Sequence, residues 1–294
     1  MKKFLIPVIA LALFLLLPFY YLKAQQNNEE FKINSEFKCR KPKTGKEAII
    51  LDYKFEDING DNEKDNVILI GHRTDKINPS LLRDIKVILQ DGGTKKYYSI
   101  SVGKLNAGHN GKIFLGDFDG DRINDILVTI GNGDCSYYSL FSFKNNKCKY
   151  LMDENLFFKG MNYNIDFINN FKVRIFNKNI NDFYLLDVKN KKNTYINIGI
   201  YKDNGELQKE NKGSYNIIRS LVPIDEDRNG VYEIKCIQTI WGINPLDTLG
   251  YGKTIWVYNG RKMELKSYEF LEFANPGSKD NFQKVIPVGS FNEE

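Results

Sequence analysis

The residues with the most definite chemistry in this chain are carboxylates set at alternate positions in short loops. In "GDFDGDRINDILVTI", residues 116–130, Asp117, Asp119, Asp121 and Asp125 fall within nine positions, and an apolar run follows at once. Crowding like charges costs free energy unless something positive sits among them. "EDINGDNEKDNVILI", residues 56–70, carries Asp57, Asn59, Asp61 and Asp65 at the same offsets, and "PIDEDRNGVYEIKCI", residues 223–237, carries Asp225, Asp227, Asn229 and Glu233. Counted from the first acid of each loop, oxygen ligands stand at positions 1, 3, 5 and 9. The backbone carbonyls of Glu63, Ile123 and Val231 stand at position 7. A tight loop of this kind wraps several hard oxygens around one cation. Calcium is the expected ion, because it takes six to eight oxygens in flexible geometry, whereas magnesium keeps more of its waters. Zinc would call for His or Cys.

Gly60 and Gly120 at position 4 let the backbone turn inward in the first two loops. An EF-hand is excluded on three counts: Ile68, Val128 and Cys236 stand where its position-12 acid belongs, the glycine is displaced, and the flanks read as strands. Asp, Asn and Gly are also ordinary turn formers. Two loops in register weigh against a mere turn, whereas the third departs, with Arg228 at position 4 and Gly230 at position 6.

The elements that must position these loops are short and β-rich. Runs such as "EAIILDYKF", "NVILIGH", "DIKVILQ", "YYSISV", "DILVTI", "YYSLFSF", "FKVRIF", "DFYLLDV", "TYINIGIY", "VYEIKCIQTI" and "KTIWVYNG" are bounded by Gly, Asn and Asp clusters. Asp57 and Asp117 are 60 residues apart, and Asp225 follows 108 after Asp117, which leaves room for one more unit. "YNIDFINNFKVRIFNK" fills that room as strand, turn and strand without an acidic loop. The pattern is an all-β array of about four repeats, three of them with acidic loops.

The loops "DINGDNEKDNVILI" and "DFDGDRINDILV" resemble those of FG-GAP and VCBS repeats, which occur in integrin α-chain propellers and in exported bacterial proteins. The resemblance implies a β-propeller-like array of about four FG-GAP-type repeats, each a four-stranded blade with the cation pinning the connection between its first two strands. It also implies an extracytoplasmic protein that binds Ca2+.

The first residues, "MKKFLIPVIALALFLLLPFYYLKA", place two lysines before an apolar run, the pattern of a signal peptide or membrane anchor over residues 1–24. Residues 25–46 read as a polar tether and 47–294 as the β-repeat domain. The net charge is +5, and without Lys2, Lys3 and Lys23 the remaining 39 basic and 37 acidic residues leave +2. No basic domain suggests nucleic acid. Cys39, Cys135, Cys148 and Cys236 are an even number in an exported chain, so one or two disulfides compete with free thiols as readings.

The enzyme signatures of a nucleophile elbow and an H-E-x-x-H helix are absent from the sequence, and His72 and His109 are its only histidines. Recognition is the expected role, with a cell-surface protein or polysaccharide as partner. The membrane joins them where the leader stays uncleaved. "IWGINPLDTLGYGK", residues 240–253, offers Trp241, Asn244, Asp247 and Tyr251 on a long loop as ligand-binding candidates. The alternatives are a polysaccharide-active enzyme on a propeller platform and a structural envelope or spore-layer component.

Overall fold

The computed structural model describes residues 31–38, 48–73, 80–103, 107–132, 135–152, 161–216, 218, 220–273 and 282–290. The leader expected over residues 1–24 lies outside them, as does Cys39. No helix among the described residues is long and apolar enough to cross a membrane.

Among the described residues, runs rich in aliphatic and aromatic side chains build four antiparallel sheets, none closed on itself. The first sheet is the meander β1 (Ala48–Glu56), β2 (Asp65–Arg73), β3 (Leu82–Gln90) and β4 (Tyr97–Ser101). The second repeats that order with β5 (His109–Gly116), β6 (Asp125–Asn132), β7 (Cys135–Ser142) and β8 (Lys149–Tyr150). The third contains β9 (Tyr163–Ile168), β10 (Lys172–Asn177) and β11 (Asp182–Asp187). The fourth is built on β12 (Ser214–Tyr215), β13 (Ser220–Ile224), β14 (Glu233–Trp241), β15 (Thr248–Tyr258), β16 (Met263–Phe273) and β17 (Phe282–Val285). The last strand, β18 (Gly289–Ser290), leaves the fourth sheet and pairs with β11 at the edge of the third.

The sheets pack through apolar faces. Aliphatic side chains of the first two, among them Leu51, Leu69, Val87, Ile113, Val128 and Phe141, form one core. The seam also has buried polar contacts: the Ile113 N–H donates to Asp52 Oδ2 at 2.8 Å across β5 and β1, and Leu82 and Gly108 exchange backbone bonds at 2.9 and 3.0 Å. A second, more aromatic core joins the second, third and fourth sheets through Phe118, Leu140, Tyr163, Tyr184, Trp256 and Phe270.

Two segments differ from the sequence expectation. "TYINIGIY" is not a strand: Lys192–Asn197 forms α1, an α-helix of six residues. The side chain of Tyr195 explains why, since its fully buried ring and the bonds from its hydroxyl to Asp247, 2.9 and 3.1 Å, anchor the turn against another loop. Residues 31–38, read as tether, pack on β1. Backbone bonds join Asn34 and Ser35 to Ile50 and Phe37 to Ala48, and Phe37 is buried beside Phe31 and Tyr53. These bonds cover an edge that would otherwise expose unpaired backbone groups.

If that segment belongs to the fold, Phe37→Ala should lower the unfolding free energy by about 3–5 kcal/mol, as cavity-forming Phe truncations do. Urea denaturation checks it; a loss below about 1 kcal/mol would return residues 31–38 to the tether.

Candidate metal centre

Each acidic loop closes a hairpin. The residue before position 1 pairs with the acid at position 9: Glu56 with Asp65, Gly116 with Asp125, and Ile224 with Glu233. The antiparallel ladder therefore carries the ninth-position acid into the interior, where Asp65 and Asp125 are 1% exposed and Glu233 is 8%. The sequence reading of these loops as interstrand connections matches this arrangement.

The second loop gathers its carboxylates most closely. Oxygens of Asp117, Asp119 and Asp125 lie within 4.8 Å of one another. Asp117 is held by the N–H groups of Gly120 at 2.6 Å and Arg122 at 2.8 Å, and Asp125 accepts from the Phe118 N–H at 2.9 Å. Asp121 accepts from the Ile123 N–H and from Lys144 Nζ, both at 2.9 Å. Asp119 Oδ1 is buried and has no hydrogen-bond partner. Burial pushes the Asp125 carboxyl up to about 7, against the Phe118 N–H and with repulsion from Asp119 and Asp121 added. Asp119 is raised as well, by burial and then by the charges of Asp121 and Asp117.

In the first loop Asp57 accepts from the N–H groups of Asn59, Gly60 and Asn62, and Asp65 accepts from those of Ile58 and Gly92. The third-position residue behaves differently here. Asn59 Nδ2 donates to Asp61 Oδ2 at 3.2 Å and to Asn146 Oδ1 at 3.3 Å, so an amide fills the space among the acids. Asp91 joins this network through Asn146 Nδ2 at 2.9 Å. Burial opposes ionisation of Asp91, but the Thr94 N–H and Asn146 outweigh it and hold its carboxyl below the usual range.

The third loop is the most open. Asp225 accepts from the N–H groups of Asn229 and Gly230, and Asp227 Oδ2 from Asn229 Nδ2 at 2.9 Å. Glu233 Oε1 is paired with Lys266 Nζ at 2.8 Å, while its buried Oε2 has no hydrogen-bond partner.

The loops lie side by side. Ile123, at position 7 of the second, packs on Gly60 of the first so closely that a Cβ there would meet Ile123 Cδ1 at 2.5 Å. Val231, at position 7 of the third, lies 3.9 Å from where a Cβ on Gly120 would stand. The Tyr232 N–H donates to the Asp117 carbonyl at 2.7 Å, within a parallel bridge between Asp117 and Val231. Gly60 and Gly120 have φ of 82° and 79°, where a side chain is strained in any case.

Sequence reasoning did not single out Asp91, Lys144, Asn146 and Lys266. Asp91, Lys144 and Asn146 stand in "DGG" and "KNNK", whose composition marks a turn and conceals which loop the turn will touch. Lys266 sits alone on β16.

The candidate ligand-binding residues are not brought together as free groups. Asp247 is bound by Lys191 Nζ at 2.7 Å, by the Tyr195 hydroxyl and by the Ile243 N–H at 3.0 Å. Asn244 is exposed and closes the same turn through the Leu246 N–H at 2.9 Å. Trp241 and Tyr251 are half-buried ladder residues of β14 and β15. Lys191 lies 56 residues upstream, beyond any local reading of the loop. Cys148 and Cys236 are free thiols, so neither forms a disulfide.

Sheets and loops together define a class: a mostly β protein of several antiparallel sheets, three of them with a hairpin that carries an acidic loop. The chain belongs to the YybI family. A model of the YybI C-terminal domain matches residues 161–271. The uncharacterised protein YybI of Bacillus subtilis (strain 168) is 32% identical over 209 residues, 70% of this chain and 78% of that protein. No solved structure matches.

These comparisons overturn the FG-GAP and VCBS assignment, because no repeat of either family is detected and the matched domain covers mainly the third and fourth sheets, with only the third acidic loop in it. The physical reason is that a cation-type hairpin loop constrains about nine positions and little else. Two such loops match the spacing of another family without the rest of its pattern.

The raised Asp125 carboxyl gives a signed prediction. The unfolded carboxyl, with a pKa near 3.8, releases its proton first, whereas the folded one keeps it to about 7. Stability of the metal-free chain therefore falls as pH rises from about 4 to 7 and levels above that. At 1.36 kcal/mol per pKa unit, Asp125→Asn should remove a decline on the order of 4 kcal/mol across this window. Urea unfolding in chelator at stepped pH checks it, and an unchanged slope in the variant would assign the decline elsewhere.

Proposed function

We propose that this protein is an extracytoplasmic recognition scaffold whose acidic loops are stapled by Ca2+. The observation that carries the metal reading is Asp119 Oδ1, buried and without a partner beside Asp117 and Asp125. A buried carboxylate oxygen in that condition is costly, and a cation supplies what it lacks. Asp117, Asp119, Asp121, Asp125 and the Ile123 carbonyl would hold the ion in the second loop.

The first loop accepts an ion after its Asn59 carboxamide turns its oxygen inward, with Asp57, Asp61, Asp65 and the Glu63 carbonyl as the other ligands. In the third, Lys266 neutralises Glu233 through Oε1 and weakens the pull of its other oxygen on an ion, which Asp225, Asp227, Asn229 and the Val231 carbonyl would share. The order of affinity is therefore second, first, third. Calcium here is structural: it replaces repulsion among carboxylates with attraction and links folding to the ion.

The finer architecture we infer is propeller-like. Its support is the succession of antiparallel units, three of which open on a hairpin with an acidic loop. The leader pattern of residues 1–24 supports the location outside the cytoplasm, and a cell-surface protein or polysaccharide is the partner such a scaffold would serve.

Calorimetric titration of the metal-stripped chain tests the staple. Calcium should bind at about 10⁻⁴–10⁻³ M, the range of extracellular modules. At a hundredfold excess over Kd it should stabilise the fold by about 2.7 kcal/mol per site. Asp119→Ala should remove the tightest site and its share of the stabilisation. No heat and no stabilisation at several millimolar calcium would reject the proposal.

A further inference from the structure

The seam between the second and third loops opens into a cleft of about 590 Å3, within the size range of small-molecule sites. Asp117, Arg122 and Asn124 line it from the second loop, and Asn229, Gly230 and Tyr232 from the third. Among the described residues, no hydrogen bond or ion pair engages three polar groups of the residues that line it: the Arg122 guanidinium, the Asn124 carboxamide and the Tyr232 hydroxyl.

The Tyr232 ring is fixed before any ligand arrives. Phe114 meets it edge-on at 5.0 Å and Phe118 lies at 5.8 Å. Gly116 lets the ring lie so close that a Cβ there would fall 2.7 Å from Tyr232 Cδ2. A preset wall of this kind costs a ligand little ordering entropy.

We propose that this cleft binds a short acidic saccharide, with its carboxylate on Arg122 and its ring hydroxyls on Asn124 and Tyr232. A guanidinium fork matches a carboxylate in two parallel bonds. A phosphate fits less well, because Asp117, Asp119 and Asp121 stand close by and repel a dianion more than a monoanion.

A peptide strand fits less well for a different reason. Strand addition needs an unpaired backbone edge. Here the Tyr232 N–H is already committed to the Asp117 carbonyl, so recognition falls to side chains. A carboxamide and a phenol, each both donor and acceptor, suit ligand hydroxyls.

This inference deepens the recognition role proposed above and rests on it. It does not rest on calcium, which is read separately in the experiment.

The test is calorimetry of the full chain with a glucuronate-containing disaccharide, in saturating calcium and in chelator. Its carboxyl-reduced neutral counterpart and an acidic tripeptide serve as comparisons. The acidic disaccharide should bind, and the neutral one at least about tenfold more weakly, a difference of about 1.4 kcal/mol.

Arg122→Asn should show the same tenfold loss with an unchanged melting temperature. It is a safe change, because Asn62 holds the equivalent place in the first loop with φ of 69°, against 67° for Arg122. Tyr232→Phe removes only the hydroxyl and should weaken binding several-fold. Absence of binding, undiminished affinity in Arg122→Asn, or tighter binding of the tripeptide would each overturn the proposal. Saccharide binding without any calcium site would sink the staple and leave the cleft standing. Calcium binding without saccharide binding would do the reverse.

Discussion

A carboxylate carried into the interior has to be compensated, and the ladder gives the three loops no choice about carrying one there. Pairing of Glu56 with Asp65, Gly116 with Asp125 and Ile224 with Glu233 sets each ninth-position acid at the start of an inner strand. The fold answers the same demand in three ways. The first loop places the Asn59 amide among its acids, and the third brings Lys266 to Glu233 from β16. The second pairs Lys144 with Asp121 at its edge and leaves Asp119 Oδ1 unanswered. Because the second loop is the most buried of the three, its shortfall is also the most expensive, and its electrostatics set the conditions under which the neighbouring loops hold their shape.

The loops are mechanically joined as well. Position 7 of one loop lies against the position-4 glycine of the loop before it, Ile123 against Gly60 and Val231 toward Gly120. The carbonyl at position 7 is also a candidate cation ligand, so the residue that would feel an ion through its backbone touches the next loop with its side chain. The turn at Lys144–Asn146 reinforces the join. Lys144 reaches Asp121 in the second loop, whereas the Asn145 N–H donates to the Asn59 carbonyl in the first at 2.9 Å. Order gained in one loop is thereby passed to its neighbours through packing and backbone bonds.

Local chemistry was legible in the sequence to the extent that it was local. The apolar runs in "NVILIGH" and "DILVTI" announced β2 and β6, and the nine-position spacing announced the hairpins, because both are decided by residues next to one another. The helix at Lys192–Asn197 was not legible. Thr194, Tyr195 and Ile196 favour a strand, and only the reach of Tyr195 to Asp247, 52 residues away, overrides that preference. The role of Asp247 was lost for the same reason: a loop carboxylate looks free until Lys191 and Tyr195 arrive from elsewhere. The differences among the three loops escaped too, since whether an acid is answered by Asn146 or Lys266 depends on how sheets dock. The family assignment failed in a related way, because a spacing demanded by hairpin geometry carries physics more than ancestry.

The two halves of the molecule are held together differently. The first and second sheets meet mainly through aliphatic side chains, with buried polar ties at Asp52 and between Leu82 and Gly108, and their loops concentrate the charge. The third sheet, which has no acidic loop, docks on the fourth through rings: Tyr184 lies 5.3 Å from Phe270, and Tyr163 lies 5.0 Å from Tyr215. Burial pushes the Tyr184 and Tyr201 phenols up to about 12, so these rings stay neutral across the whole range in which Asp125 titrates. The carboxyls that burial raises, Asp65, Asp119 and Asp125, belong to the first two loops, away from this seam. The family-matched segment at residues 161–271 holds this ring-packed seam together with the third acidic loop, so it contains both kinds of contact.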